Sequence, residues 1–173
     1  MEDCSCCRAD TAGAGEMACQ LPPAAVKRTP ALCPVTGSKG KRVGQTTVKA
    51  MLAVSLAAIR DADYFFCADP DCPVVYFSAD GLQTFTVDDV RERVFQKEPQ
   101  AEDVFVCYCF RHTPASIRQE LLESGTSTVV EAITAGIRAG QCGCDIRNPQ
   151  GSCCLGNVNA VVKSVRDGMG LRS

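Results

Sequence analysis

The chain has 173 residues, which is enough for one ordinary domain or two small ones. Hydrophobic residues make up 46% and charged residues 22%, a balance that favours a folded chain over a disordered one. The net charge of −2 and the pI near 5.4 argue against the basic face that nucleic-acid binding requires. No apolar run reaches the roughly 20 residues of a membrane span, and the first residues lack the features of a secretory signal. We therefore expect a cytoplasmic protein with no membrane insertion and no nucleic-acid partner.

Thirteen cysteines are the most informative feature of the composition. In a reducing compartment, thiols at this density favour metal binding over disulfide formation. The number is also odd, so a complete disulfide framework would leave one thiol over. The single histidine, His112, excludes a histidine-rich zinc site. The composition thus predicts metal bound by thiolates.

Residues 1–30 are predicted to be a flexible tail, because they are rich in small residues, glycine and proline and show no periodic apolar pattern. Within the tail, three thiols occur in four residues, at Cys4, Cys6 and Cys7. Thiolate sulfur is soft and suits ions such as Cu(I). These cysteines are a candidate site for capture of a soft metal ion, and the alternative is that they are incidental to a disordered tail.

Residues 31–96 have the pattern of a compact α+β module. The module begins with Cys33-Pro34-Val35-Thr36-Gly37, which resembles a metal-binding knuckle that has lost its second cysteine. Residues 47–59 are apolar and compatible with a helix. Residues 88–94 are predicted to form a second, short helix that is capped by acidic residues.

Two strands are predicted between these helices. Tyr64-Phe65-Phe66-Cys67 and residues 72–77 are rich in aromatic and β-branched residues, and Asp69-Pro70-Asp71 between them is a turn signal. The resulting hairpin would bring Cys67 and Cys72 together at its end. With Cys33 they offer three thiolates, whereas structural zinc is almost always four-coordinate. A fourth ligand has to come from elsewhere, and Asp71 and the tail cysteines are candidates.

Residues 97–103 are charged and contain Pro99, and we predict that they link this module to a helical module at residues 104–168. The helical module opens with a strand-like stretch at residues 104–106. Its helices are too short to be stable alone, so they must pack against each other and, on our interpretation, around a metal.

Three helices are predicted in this module. Thr113-Pro114 gives an N-cap followed by proline at the first helical position, and the helix ends at Gly125. A second helix begins where Thr128 and Glu131 can form a capping box. A third apolar stripe runs through residues 158–165.

The helical module also carries six cysteines around these helix ends. Helix N-termini present N–H groups and a positive dipole end, which stabilise thiolates and an anionic cluster. Four thiolates serve a 2Fe–2S or a 4Fe–4S cluster, and the spacing differs from the tight Cys-x2-Cys-x2-Cys runs of bacterial 4Fe–4S ferredoxins. We therefore predict a 2Fe–2S cluster for which six thiols compete: Cys107, Cys109, Cys142, Cys144, Cys153 and Cys154.

Residues 31–165 resemble a known family. The Cys107-Tyr108-Cys109 segment followed by helices and further cysteines is similar to the 2Fe–2S domain of bacterioferritin-associated ferredoxins. The match is closer to the N-terminal domain of CopZ-type copper chaperones. The motifs that carry it are Cys33-Pro34, Asp63-Tyr-Phe-Phe-Cys67, Cys72-x-Val74-Val75-Tyr76-Phe77, Cys107-Tyr108-Cys109 and Asn148-Pro149-x-Gly151-x-Cys153-Cys154.

The resemblance implies two cofactors, a mononuclear zinc in the first module and a 2Fe–2S cluster in the second. It suggests Asp63 as the fourth zinc ligand beside the three thiols. Helix spacing favours Cys142 as the third cluster ligand, whereas alignment on Asn148-Pro149 favours Cys144. The set we expect is the following: Cys107, Cys109, Cys144 and Cys154, with Cys142 and Cys153 as alternates.

The resemblance also implies a function in heavy-metal handling, with copper as the expected metal. The cluster would pass single electrons and help to reduce or transfer the ion, so Cu(I) is a further expected ligand. We favour a non-enzymatic metal-binding and electron-transfer protein, with metal-ion reductase activity as the alternative. Expected partners are metal ions, a copper chaperone domain, a metal transporter or a redox protein. The Met-x-Cys-x-x-Cys loop that carries copper in the family does not occur in these residues. The alternative is a 2Fe–2S electron donor or redox-sensing module for a partner such as a ferritin-like iron store.

Overall fold

The computed structural model describes residues 31–170, and these combine an antiparallel sheet with a group of helices. The sheet has four strands in the order β1-β2-β3-β4: Lys41–Val43, Tyr64–Phe66, Val74–Ser78 and Thr84–Thr86. The helices α1 to α5 are Gln45–Met51, Pro114–Ser124, Val129–Arg138, Cys144–Arg147 and Leu155–Gly168, and short 3-10 turns lie at Leu56–Ala58, Val87–Asp89 and Phe95–Lys97. The predicted α+β class is confirmed.

The predicted hairpin is formed by β2 and β3. The two strands pair antiparallel, and Phe65 lies opposite Phe77 with the two rings stacked at a centroid distance of 5.7 Å. All five residues of β3 are buried, which explains why residues 74–77 form a continuous run of apolar and aromatic residues rather than an alternating pattern. Strands β1 and β4 were not predicted, because their residues, Lys41–Val43 and Thr84–Thr86, do not form a run of apolar residues as those of β2 do.

The helices predicted at residues 47–59 and 88–94 are wrong in their extents. The first ends at Met51, and the second is reduced to the 3-10 turn Val87–Asp89. Both end at one antiparallel bridge, in which the N–H of Arg91 donates to the carbonyl of Met51 at 2.8 Å. Pairing between residues about 40 positions apart thus overrides the local helical preference of both segments.

The helical half begins with a tight loop instead of the strand predicted at residues 104–106. The N–H of Val106 donates to the carbonyl of His112 at 2.9 Å, so residues 107–112 close on themselves. The first helix is as predicted, because Thr113 caps it, Pro114 occupies its first turn and Gly125 ends it with a φ of 71°. The four-residue helix α4 was not predicted.

The start of α3 is capped by a residue of the preceding helix rather than by the predicted Thr128 and Glu131 box. The hydroxyl and the N–H of Thr128 both donate to Oε1 of Glu120, at 2.7 and 2.9 Å. The hydroxyl of Ser127 donates to the other carboxylate oxygen at 2.8 Å. Chiefly because of the backbone donor at Thr128, the pKa of Glu120 lies below its ordinary value.

Replacing Glu120 by alanine is therefore expected to cost about 1 kcal/mol at pH 7, the usual value of a lost cap. Because the pKa is lowered on folding, this contribution is present above the ordinary carboxyl pKa and is lost as the pH falls through the folded value. Urea unfolding at pH 7 and pH 3 measures it. Glu123→Ala, on the same helix, serves as the control, and an equal loss in both variants, or a loss that persists at pH 3, would contradict the assignment.

Three groups of buried side chains form the interior. One lies between the sheet and α1, a second joins α2, α3 and α5, and a smaller third surrounds Cys33, Cys67 and Cys72. The division into a tail at 1–30 and modules at 31–96 and 104–168 stays a prediction. Among residues 31–170, no helix has the length and apolar character to cross a membrane.

Candidate metal centres

The first thiol cluster consists of Cys33, Cys67 and Cys72. Their sulfur atoms all lie within 4.8 Å of one another, and the side chains of all three are buried. The Sγ atoms of Cys33 and Cys72 are 3.7 Å apart. A tetrahedral zinc with Zn–S bonds of about 2.3 Å has S–S edges of about 3.8 Å. The spacing of these thiols thus suits a zinc ion, although the cluster supplies three of the four ligands.

The segment after Cys33 turns as a metal-binding knuckle. The N–H of Gly37 donates to the carbonyl of Cys33 at 2.8 Å, and Gly37 has a φ of 71°, which favours glycine. The turn aims the N–H groups of Val35 and Thr36 at the sulfur of Cys33. Burial raises the pKa of this thiol, but these hydrogen bonds outweigh it and the pKa lies below its ordinary value. The knuckle therefore favours a thiolate.

The opposite wall of the first thiol cluster is the turn between β2 and β3. Burial raises the pKa of Cys67 to about 11, an effect that a bound cation would oppose. Lys97 lies near this thiol and lowers its pKa by its positive charge. The ammonium of Lys97 donates to the carbonyl of Asp69 at 2.7 Å, which fixes this charge at the turn.

The geometry does not support Asp63 as the fourth zinc ligand. Asp63 precedes β2 whereas Cys67 follows it, so the two lie at opposite ends of the strand, about 13 Å apart at 3.3 Å per residue. The carboxylate of Asp63 accepts a hydrogen bond from Arg42 at 2.7 Å. Asp71 is also absent from the group of potential ligands in residues 31–170. The tail cysteines, including the candidate site at Cys4, Cys6 and Cys7, lie outside the described residues.

The second thiol cluster brings together five of the six predicted cysteines: Cys107, Cys109, Cys142, Cys144 and Cys154. The sulfur of Cys109 lies 3.8 Å from both Cys142 and Cys144, and these two are 3.2 Å apart. Cys154 contacts Cys107 and is close to Cys144. Cys153 is exposed.

Cys107 and Cys154 form the buried pair of the second thiol cluster. A hydrogen bond from the thiol of Cys154 is the main reason that the pKa of Cys107 falls to about 7. The same bond, together with burial, raises the pKa of Cys154 above its ordinary value. The thiol of Cys154 is thus the donor and the sulfur of Cys107 the acceptor, and binding of a metal that needs both thiolates releases their remaining protons.

Helix ends and one close contact position these thiols. Cys144 begins α4 and Cys154 is the N-cap of α5, whereas Cys109 lies in the loop before α2. The phenyl ring of Phe110, next to Cys109, lies so close to α3 that a Cβ added at Gly136 would be 2.3 Å from it. The N–H of Gly143 donates to the sulfur of Cys109 at 3.4 Å.

A turn at residues 148–151 joins the second thiol cluster to the sheet. The hydroxyl of Tyr76, in β3, donates to the carbonyl of Pro149 at 2.6 Å. The amide of Gln150 donates to the carbonyl of Cys153 at 2.9 Å and accepts from Gln96 at 2.7 Å. Because β3 follows Cys72 and the turn precedes Cys154, these bonds connect the neighbourhoods of the two clusters.

Comparison with known proteins agrees with this arrangement. A family model described as a zinc binding domain, of the CopZ type, matches residues 30–91. The crystal structure of the Archaeoglobus fulgidus CopZ N-terminal domain superimposes with a TM-score of 0.62 at 29% identity, covering 82% of this chain and 99% of that one. The chain contains a CopZ-type N-terminal domain.

A full-length CopZ extends well beyond the region that matches this chain. The copper chaperone CopZ of Archaeoglobus fulgidus is 34% identical over 122 residues, which are 70% of this chain and 57% of that protein. The chain thus spans little more than half the length of the curated CopZ that it matches. The CopZ-type family match covers the zinc-binding domain, and the iron–sulfur cluster stays a prediction.

Sequence reasoning found the thiols of both clusters but missed the groups that border them. Lys97 was assigned to a charged linker, although it lies beside Cys67. Ser38 and Asp69 carried no metal-binding signal, yet the hydroxyl of Ser38 donates to Asp69 at 2.6 Å next to the knuckle. Such neighbours become visible only when the fold brings segments about 30 residues apart into contact.

Proposed function

We propose that this chain is an iron–sulfur and zinc binding accessory protein of heavy-metal handling, with copper as the metal served. The observation that supports it is the gathering of eight thiols into two separate groups, three at the knuckle and five among the helix ends. Soft thiolate ligands suit zinc, Cu(I) and iron–sulfur clusters. The proposal places the protein in the reducing cytoplasm, where these thiols stay reduced.

For the second thiol cluster, Cys107, Cys109, Cys144 and Cys154 would hold a 2Fe–2S cluster, with Cys142 as the alternate to Cys144. When bound, such a cluster supplies one-electron redox chemistry. The chain itself contributes burial around Cys107 and Cys154, which excludes water, and the N–H of Gly143, which donates to a ligand sulfur. Hydrogen bonds to ligand sulfurs and limited exposure are among the features that set the potential of a cluster.

For the first thiol cluster we propose zinc, which has no redox chemistry of its own. Its role would be to hold the knuckle against the hairpin, since metal binding contributes folding free energy to such sites. A reduced cluster at the second site would pass one electron to Cu(II), and Cys4, Cys6 and Cys7 would bind the Cu(I) that forms. The proposed partners are a copper chaperone domain or a copper transporter.

Anaerobic purification followed by metal analysis tests this proposal. We expect about two irons, two acid-labile sulfides and one zinc per chain, and a rhombic EPR signal on reduction, as four-thiolate 2Fe–2S sites contain two irons. Titration with Cu(I) is expected to show tight binding that is lost in the Cys4/Cys6/Cys7→Ser variant. Zinc alone, without sulfide or a visible chromophore, would rule out the iron–sulfur assignment and the redox role.

A cleft beside the second thiol cluster favours a second candidate, electron donation to a protein partner. The cleft has a volume of about 320 Å³, and Arg111, Ile146 and Arg147 are among its lining residues. Ile146 is 48% exposed, and within residues 31–170 neither arginine forms a salt bridge. An acidic partner such as a ferritin-like iron store would fit this surface. Retention of such a protein by the wild-type chain but not by Arg147→Ala would favour this function over copper handling.

A further inference from the structure

Within residues 31–170, the first thiol cluster offers three potential metal ligands rather than four, and the residue at position 36 accounts for the difference. A knuckle with cysteines at both its first and fourth positions would place a second thiol where this chain has Thr36. Within residues 31–170, the group that can ligate one metal at this place contains Cys33, Cys67 and Cys72 and no other cysteine, histidine or carboxylate. Closed structural zinc sites have four protein ligands, whereas sites with three keep one position for an external ligand.

Polar groups border this fourth position. The hydroxyl of Thr36 lies within hydrogen-bonding reach of the sulfur of Cys33 and donates to the hydroxyl of Ser38 at 3.0 Å. The hydroxyl of Ser38 in turn donates to a carboxylate oxygen of Asp69 at 2.6 Å. We call these three residues the hydroxyl chain.

The hydroxyl chain also marks the side on which the cluster is accessible. The three thiols are at most 2% exposed, but Thr36 and the knuckle residues on either side of it are exposed. A small molecule can thus approach along the knuckle, whereas the hairpin and Lys97 cover the opposite side. Within residues 31–170, the three thiols thus define three corners of a tetrahedron, and the hydroxyl chain lies on the exposed side of the knuckle.

We propose that the zinc site is an open three-thiolate site, in which water occupies the fourth position beside the hydroxyl chain and is displaced by small thiols. The inference rests on the zinc binding proposed above. On displacement, a thiol binds as its thiolate, the bound water leaves, and the thiol proton passes to solvent. The charge of the site changes from −1 to −2, and the ammonium of Lys97 nearby offsets part of it.

An open coordination position would let the zinc exchange its fourth ligand rapidly. A zinc with four protein thiolates exchanges ligands slowly because each one is tethered to the fold, whereas a water ligand leaves without unfolding anything. Low-molecular-mass thiols, and metal ions that they carry, could therefore react at the knuckle. The site would act in ligand exchange in addition to holding the hairpin.

X-ray absorption at the zinc edge of the full-length holoprotein tests the proposal, because it counts sulfur and oxygen neighbours without interference from iron. In thiol-free buffer we expect three sulfurs at about 2.3 Å and one oxygen at about 2.0–2.2 Å. Saturating 2-mercaptoethanol is expected to convert this shell to four sulfurs.

Variants at position 36 provide matched controls. Thr36→Cys is expected to show four sulfurs without added thiol, no response to 2-mercaptoethanol, and removal of zinc by a chromophoric chelator that is slower by about tenfold or more, since a protein ligand closes the site. Thr36→Ser keeps the hydroxyl and is expected to behave as the wild type does.

Several results would overturn the inference. Four sulfurs in the thiol-free wild type would do so, and a fall to three in the Cys4/Cys6/Cys7/Cys19→Ser variant would then assign the fourth ligand to the tail. A three-sulfur shell that does not respond to 2-mercaptoethanol would also contradict it. Absence of zinc from the purified protein is a different outcome, because it would overturn the proposed zinc binding itself.

Discussion

Replacing Cys154 by serine is expected to remove the visible chromophore and to lower the iron content to less than about a tenth of the wild-type value, because metal binding here requires a complete thiolate set. Cys154 is 2% exposed and its thiol donates a hydrogen bond to Cys107, so its sulfur points into the second thiol cluster. The neighbouring Cys153 is exposed. Cys153→Ser is therefore the matched control, and it is expected to retain both iron and colour.

The iron content and visible absorption of Cys142→Ser and Cys144→Ser decide which of these two cysteines is the third cluster ligand. Both sulfurs lie 3.8 Å from Cys109, so either can complete the pair at that end of the cluster. We expect Cys144→Ser to lose more iron, since Cys144 is also close to Cys154. Equal iron in all four variants and the wild type would contradict the whole assignment, and loss on Cys153→Ser alone would reverse the roles of the adjacent pair.

Replacing Cys67 by serine is expected to abolish zinc binding and to lower the melting temperature by about 10 °C or more, since each kcal/mol corresponds to several degrees in a chain of this size. Cys67 is fully buried between the knuckle and the hairpin, and zinc binding there is coupled to folding. Thermal unfolding followed by circular dichroism measures the change.

A chelator provides the internal control for this experiment. Removal of zinc is expected to bring the wild type down to the melting temperature of Cys67→Ser and to leave the variant unchanged. If the chelator destabilises both proteins equally, the loss in the variant comes from packing of the side chain and not from the metal.

The parts of this molecule that sequence predicts are those that local pattern or spacing determines. The β2–β3 hairpin follows from two apolar runs on either side of Asp69-Pro70-Asp71, and α2 follows from Thr113-Pro114 and Gly125. The predicted helix at residues 88–94 failed because its end pairs with a segment about 40 residues away. No local pattern carries that information.

The candidate sites show the same limit. Cysteine identity marked the thiols. The family resemblance suggested Asp63 as the fourth zinc ligand, but the geometry does not support it, because a strand places the residues before and after it at opposite ends. The choice between Cys142 and Cys144 could not be made from spacing, since the backbone brings both sulfurs to equal distances from Cys109. The hydroxyl chain of Thr36, Ser38 and Asp69 depends on contact between the knuckle and the hairpin turn, which only the fold supplies.

The contact between Gly136 and Phe110 shows that packing against the loop of Cys109, and not helix propensity, determines the residue at this position of α3. Glycine inside a helix costs about 0.5–1 kcal/mol relative to alanine, so the helix would form more readily with a methyl group at this position. That methyl group would clash with the phenyl ring of Phe110 and displace the loop that carries Cys109. The glycine therefore lowers the intrinsic stability of α3 but allows its backbone to pack directly against the loop that carries Cys109.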